Sequence, residues 1–333
     1  MKVSVIIPLF NAEKFFAVCL ESLAIQTMTD FEVIVVDDCS TDSSLAIAES
    51  YLERFGGRLK IITLPENTGT GAIPRNVGLE QACGEYVYFV DNDDFVIDNA
   101  LEILYDFAKE YDADVVYMEK FFLCNEEPVL VDLNPVEWMP NLTEEEILIE
   151  SDDVAERVKK FVEKHFFCSP WSKFLRRQLL IDNNITLPRM KIADDILWTF
   201  KIVYFAKKIL RIPAQIYVHR SNKMSISRRT RIHEKRLEFY ASPMIIAVEM
   251  FEEFMSGIEL FARNPDLRLQ VLMFFLQILF DDIENDLKSL KPAQVYEIFL
   301  REFKANSTHP ALISCLIVMM NIYHQTLKER EKS

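Results

Sequence analysis

Residues 86–94 read Tyr-Val-Tyr-Phe-Val-Asp-Asn-Asp-Asp, and few folds accommodate such a run. Five uncharged β-branched and aromatic residues form a buried strand. The strand passes directly into three carboxylates. Residues two apart share a strand face, so Asp91 and Asp93 point the same way where extended geometry persists. Burying two anionic groups at a strand end is costly unless water or a hard cation offsets it. Mg²⁺ and Mn²⁺ prefer oxygen ligands and often take one or two carboxylates plus substrate phosphates. The plain structural alternative is a solvated acidic loop leading into a helix capped by Asp98.

The residues before this stretch repeat one pattern. Val3–Ile7 is an apolar strand ended by Pro8, and Asn11 is placed to cap the following helix. Residues 31–36 form a second strand ending in Asp37 and Asp38, and a helix follows to Gly56-Gly57. Residues 59–64 form a third strand. A glycine-containing loop, residues 66–71, then precedes a short helix opened by Pro74. A helix from Asp98 and a strand over 114–118 follow residue 94. Alternating strands and helices predict an α/β fold with a mostly parallel central sheet flanked by helices. Ligands of such sheets bind beyond the carboxyl ends of the strands. Polar clusters fall there after strands one, two and four, which favours a binding site over chance loops. The turn after strand one contains no glycine, and neither GxGxxG nor a Walker A sequence occurs.

Net charge is −15, from 52 acidic and 37 basic residues, which argues against a nucleic-acid surface. The six cysteines show no metal spacing and read as reduced thiols of a cytoplasmic protein. The N-terminal apolar run is too short for a signal peptide, and no apolar run reaches the length of a membrane span. Six of the seven glycines lie at or before Gly84, so tight turns concentrate early and the later chain reads as helical.

Four segments, "VSVIIPLFNAEKF", "FEVIVVDDCSTDSS", "ENTGTGAIPRNVGL" and "GEYVYFVDNDD", occur in the order and approximate spacing of the family 2 glycosyltransferases. Residues 1–119 resemble the nucleotide-binding half of that family's GT-A domain. Pro74 is a departure, since the family often has a small residue before the Arg-Asn pair. The resemblance implies that Pro8, Phe10 and Glu13 lie near the base and ribose, that Asp38 hydrogen-bonds the base, and that Arg75 and Asn92 lie beside the nucleotide. It implies that Asp91 and Asp93 hold the ribose and a metal-bound diphosphate, with Mn²⁺ or Mg²⁺ as cofactor. Read locally, Asp38 is also an Asx-turn residue before Ser40, and Arg75 a surface helix cation.

Residues 120–150 carry little periodicity, and Ser151 is placed to cap a helix running to about residue 164. "SPWSKFLRRQLLIDNNITLP" and "MKIADDILWTF" then resemble the family's Trp/Lys segment and its acidic pair. The resemblance makes Asp195 the general base, with Asp194 replacing the usual Glu. Inverting transfer needs such a group, because the acceptor hydroxyl loses a proton as it attacks. The local alternative is a helix N-cap. In "IYVHRSNKMSIS", His219 is a metal-ligand candidate and Arg220 a phosphate candidate, with Ser225 and Ser227 beyond. Lys173 is a further phosphate candidate, and Trp171 reads as core.

The expected organisation is a GT-A domain over residues 1–230, divided at 119/120, and a helical region over 231–333. "LRLQVLMFFLQILF" and "ALISCLIVMMNIY" are apolar nearly all round. Packing or homodimerisation through these helices ranks above a peripheral contact with the inner face of the membrane. The expected activity is metal-dependent inverting transfer from a nucleotide-sugar, with UDP as the expected nucleotide, to a glycan or lipid-linked acceptor. The alternative is a noncatalytic sugar-nucleotide-binding or scaffolding subunit, for which a retained base would be superfluous.

Overall fold

The computed structural model describes residues 1–124, 130–132, 147–221 and 232–306. The chain divides into one unit over Met1–Lys223 and another over Met224–Ser333. The first begins β1 (Val3–Leu9), α1 (Phe16–Ala24), β2 (Phe31–Asp37), α2 (Ser44–Ser50), α3 (Leu52–Phe55), β3 (Leu59–Thr63), α4 (Ala72–Gln81) and β4 (Tyr86–Phe89). It continues through β5 (Phe95–Val96), α5 (Ala100–Glu110), β6 (Val115–Cys124), β7 (Leu130–Asp132), β8 (Leu148–Ile149) and α6 (Val154–Val162). It closes with β9 (Lys173–Arg176), α7 (Arg177–Asp182), α8 (Asp194–Phe205) and β10 (Ile209–Arg220).

These strands form one sheet in the order β3-β2-β1-β4-β9-β6-β10-β5, with β7 beside β6 and β8 beside β10. The first four strands are mutually parallel. Strand β9 then inserts antiparallel between β4 and β6, so the sheet is mixed beyond β4. Val3, Val5, Ile6, Ile7 and Leu9 of β1 are wholly buried, each contributing about 2 kcal/mol relative to exposure. Continuous apolar sequence is what a strand covered on both faces requires. The register sets Leu9 opposite Asp37 and Ile6 opposite Phe89, which brings the following polar residues to one edge.

Proline does not end β1. Strand β1 runs through Pro8 to Leu9. The Ile6 carbonyl, two residues earlier and on the same side, accepts from Val90 N. At Pro8 strand β4 has already given way to the acidic turn, and the Pro8 carbonyl accepts from Asn92 Nδ2 at 2.7 Å. No ladder donor is needed there, so proline is tolerated in a central strand. Helix α4 packs tightly on this strand: a Cβ on Gly78 would come within 2.4 Å of Ile6 Cγ2.

The helix starts differ from the caps read locally. Asn11 adopts φ 47° and its Oδ1 accepts from Thr41 N at 2.8 Å, because neighbouring loops compete for it. Helix α5 starts at Ala100 after Asn99, without a side-chain cap, and the Asp98 carbonyl accepts from Thr27 N. Asp153, not Ser151, caps α6 through Ala155 N at 2.7 Å. Helix α4 begins at Ala72, two residues before Pro74. Cys19, Cys39, Cys83, Cys124 and Cys168 are free thiols, and Cys315 lies outside the described residues.

The second unit contains α9 (His233–Ser256), α10 (Glu259–Arg263), α11 (Pro265–Ser289) and α12 (Pro292–Asn306) among the described residues. Helices α9 and α11 bury Phe251 against Phe275, with ring centroids 5.0 Å apart. Buried Asp286 accepts from His233 Nδ1 at 2.7 Å and pairs with Arg236 Nε at 3.0 Å. Helix α11 is buried on one face only, since Leu269 and Met273 are exposed. Residues 311–323, along with Ser225 and Ser227, lie outside the described residues. No helix among the described residues is long and apolar enough to cross a membrane.

Candidate active site

Asp37 and Asp38 leave β2 in different roles. Asp37 makes the Asx-type bond, accepting from Ser40 N at 3.1 Å. Asp38 instead holds the loop of residues 66–71. Its carboxylate accepts from Thr68 N at 2.8 Å and Thr68 Oγ1 at 3.0 Å, and its carbonyl accepts from Asn67 Nδ2 at 2.8 Å. A carboxylate has about four lone-pair positions, so these bonds leave acceptor capacity. Phe10 is exposed just beyond β1. Glu13 accepts from Ser43 N at 3.0 Å and ties that loop to the start of α2.

The acidic turn after β4 is pinned from two sides. Asn92 bonds Pro8 of β1. On the β10 side, Asp94 is the anchor, with no side-chain exposure. It accepts from Tyr217 Oη at 2.7 Å and Arg220 N at 2.7 Å, and His219 Nδ1 lies 3.0 Å from it. Tyr217 Oη in turn accepts from Asp91 N at 3.2 Å. Burial raises the Asp94 carboxyl pKa, against the lowering effect of His219. His219 has its pKa raised: burial opposes protonation, but Asp94 and the nearby Asp91 and Asp93 outweigh it. Trp171 stacks on Tyr217 at 4.4 Å and on His219 at 5.8 Å, so it belongs to the core that backs the turn.

Arg75 crosses from α4 to this turn. Its Nη2 donates to Asp91 Oδ1 at 2.6 Å. Its Nε is buried without a partner. Burial disfavours the guanidinium charge, but Asp91, Asp194 and Asp195 more than compensate and raise its pKa. Arg75 is therefore a mostly enclosed cation beside the acidic turn, with 12% of its side chain exposed. Gly71 makes room for it, since a Cβ there would lie 2.5 Å from Arg75 Nη1.

Asp194 and Asp195 occupy the first turn of α8, which follows Ala193 at φ 61°. They lie inside the helix, so neither is the N-cap. Burial and the charge of Asp195 push the Asp194 carboxyl up to about 7, with Arg75 opposing. Burial likewise raises the Asp195 pKa, with Lys173 and Arg75 opposing. Two like charges in one poorly hydrated place cannot both ionise freely, so the pair titrates together.

Two phosphate candidates are corrected. Lys173 is wholly buried, and its ammonium donates to Cys168 O at 2.9 Å, Ser169 O at 2.7 Å and Ser172 Oγ at 3.3 Å. All three donors are spent inside the fold, and burial lowers its pKa to about 7. Arg220 is also buried. Its Nε bonds the Asp93 carbonyl at 2.9 Å and its guanidinium lies over the Phe15 and Phe95 rings. The Nε bond helps to hold the shape of the acidic turn.

Sequence reasoning passed over Asp94, Thr68 and Tyr217. Tyr217 and His219 are two apart on a strand and share a face, a signal that pointed to a common partner. The residue types fit a divalent cation. Asp91 and Asp93 offer hard oxygens, and Asp94 on Nδ1 leaves Nε2 of His219 as the outward nitrogen, as carboxylate–histidine pairs do at metal sites. Among the described residues no cluster of three ligating groups is preassembled, so phosphate oxygens would complete such a sphere. The raised His219 pKa means that a cation would compete with a proton there.

A family model described as Glycosyl transferase family 2 matches residues 4–181. Poly(ribitol-phosphate) beta-N-acetylglucosaminyltransferase TarS of Staphylococcus aureus is 35% identical over 253 residues, covering 75% of this chain and 40% of TarS. Poly(ribitol-phosphate) beta-glucosyltransferase of Bacillus spizizenii is 35% identical over 212 residues, covering 63% of this chain and 30% of that protein. The chain thus spans two fifths or less of the length of these relatives. The crystal structure of S. aureus TarS 1–349 in complex with UDP-GlcNAc aligns with a TM-score of 0.70 at 28% identity, over 98% of this chain and 88% of that one.

Proposed function

Because the chain belongs to glycosyl transferase family 2 and shares its GT-A fold, we propose that it transfers a sugar from a UDP-linked donor to an acceptor hydroxyl with inversion at the anomeric carbon. The observation that carries this reading is Arg75. Its guanidinium bonds Asp91 on one side, and the charges of Asp194 and Asp195 also favour its protonated form. This supports a reading in which the donor-side carboxylate and the proton acceptor flank one cation.

In this reading Asp38 accepts from the base N–H, with Thr68 fixing its rotamer. Asp91 takes the ribose or diphosphate side, next to the Arg75 guanidinium. Asp91, Asp93 and His219 would hold Mn²⁺ or Mg²⁺, which would neutralise charge on the departing diphosphate. Asp195 takes the proton from the acceptor hydroxyl as its oxygen bonds the anomeric carbon. The bond from that carbon to the diphosphate oxygen breaks, and its electron pair leaves with UDP. Asp195 must be ionised to act, and Arg75 favours that state.

The relatives' names suggest GlcNAc or glucose as the sugar and a ribitol-phosphate polymer as the acceptor. A net charge of −15 gives no general attraction for a polyanionic acceptor, so such a chain would need local contacts. The test is thermal stabilisation by UDP, UDP-GlcNAc and UDP-glucose, with and without Mn²⁺. Ligand at 100 times Kd adds about 2.7 kcal/mol of apparent stability. A UDP-sugar shift that Asp93→Ala weakens supports the reading. Folded wild type that responds to no nucleotide under any metal condition sinks it.

A further inference from the structure

The two acids at the start of α8 depend on a segment without regular structure. Residues 183–193 link α7 to α8, with left-handed backbone at Asn184 and Ala193. The segment's own backbone bonds, such as Ile185 N to Leu180 O and Met190 N to Pro188 O, are local and do not reach the rest of the site. Instead the segment is held by the helix and loop that also serve the donor side.

Asn76 makes a paired contact with one residue of the segment. Its Nδ2 donates to Leu187 O at 2.8 Å, and its Oδ1 accepts from Leu187 N at 2.9 Å. This imitates a backbone bridge, and it satisfies both polar groups of a residue that is itself buried. Three residues on, the Met190 carbonyl accepts from Thr70 Oγ1. Thr70 sits in the same loop as Thr68, and Thr68 Oγ1 lies within hydrogen-bond reach of both Thr70 O, at 3.2 Å, and Asp38 Oδ2. Arg75, the neighbour of Asn76, turns about 100° around the helix to reach Asp91. The first two turns of α4 and the loop before it therefore carry contacts to Asp38, to Asp91 and to the segment that launches Asp194 and Asp195.

We infer that Asn76 and Thr70 are positioning residues that clamp residues 187–190, and so set Asp195 relative to the donor held by Asp38 and Asp91. The inference rests on the transfer reading above. The side-chain amide of Asn has the geometry to bond both the N–H and the C=O of one residue. Asp in its place loses the donor, and Ala loses both. A misplacement of about 1 Å at a reacting group costs on the order of 100-fold in rate, so loss of the Asn76 contact acts on turnover, while Asp38 and Asp91 keep their own partners.

The experiment compares Asn76→Ala, Thr70→Val and Thr70→Ser with wild type. It measures the UDP Kd by calorimetry, kcat at saturating UDP-sugar, the pH profile of kcat, and amide hydrogen exchange over residues 183–195. The expected result for Asn76→Ala is a 10- to 100-fold fall in kcat, a shifted acid limb, a UDP Kd within about twofold of wild type, and faster exchange at Leu187. Thr70→Ser, which keeps the hydroxyl, should recover the turnover that Thr70→Val loses. An unchanged kcat in Asn76→Ala overturns the clamp, as does a joint fall of kcat and UDP affinity with exchange raised throughout residues 1–223. If wild type turns over no UDP-sugar, the transfer reading fails, and exchange alone then decides: unchanged protection over residues 187–195 in Asn76→Ala refutes the clamp.

Discussion

Tyr217→Phe isolates what holds the acidic turn in place. The tyrosine is wholly buried and its hydroxyl joins two groups, donating to Asp94 at 2.7 Å and accepting from Asp91 N at 3.2 Å. Phenylalanine keeps the ring that stacks on Trp171 at 4.4 Å, so packing is conserved. A hydrogen bond to a charged acceptor contributes about 1.5–3 kcal/mol, and a buried N–H left without a partner costs about 1–3 kcal/mol. The expected loss is about 3–5 kcal/mol, a fall in Tm of roughly 10 °C for a unit of this size. All three tryptophans precede residue 224, so fluorescence during guanidinium unfolding reports on the first unit. The midpoint should fall with little change in slope. A loss below about 1 kcal/mol would refute the claim that Asp94 is held through this hydroxyl.

Other perturbations separate placement from chemistry. Gly71→Ala adds a Cβ 2.5 Å from Arg75 Nη1 while its backbone φ of −73° suits any residue. Calorimetry should show UDP affinity reduced by about tenfold, with stability changed by less than about 1 kcal/mol, because a flexible side chain yields before the backbone does. Burial and the charge of Asp195 raise Asp194 to about 7, so Asp195→Asn should lower the Asp194 pKa as the like charge is removed, read from its carboxyl carbon shift between about pH 4 and 9. Lys173 has its pKa lowered from 10.5 to about 7, so the unfolded chain binds more protons between those values and stability rises with pH across that window. Lys173→Met should flatten that rise in denaturation curves taken from pH 7 to 10.

Apolar runs made much of the first unit legible in the sequence. The runs beginning at Val3, Phe31 and Tyr86 have no competing helical period, and a parallel sheet needs them continuous. Their shared register made the strand ends, and hence Asp38 and Asp91, readable as one edge. Strand β9 was not legible, because residues 173–176 are short and their lysine is neutralised by burial and carbonyl contacts that only the fold supplies. Asn11, Asp98 and Ser151 are good local caps, but distant partners or closer acids took their places. Lys173 and Arg220 look like anion-binding residues in sequence, yet both are buried, Lys173 on two carbonyls and a hydroxyl and Arg220 with its Nε on the Asp93 carbonyl. Asp94 has the same chemical type as Asp91 and Asp93, and only its burial against Tyr217 and His219 distinguishes it.

The most direct test of the account is turnover of a UDP-sugar by Asp195→Asn, read alongside UDP affinity. The asparagine is nearly isosteric and cannot take the acceptor proton. The account predicts a fall of about 10²- to 10⁴-fold in kcat with UDP binding unchanged. Retention of more than about a tenth of wild-type turnover would show that another group takes the proton, and would contradict the role given to the first turn of α8.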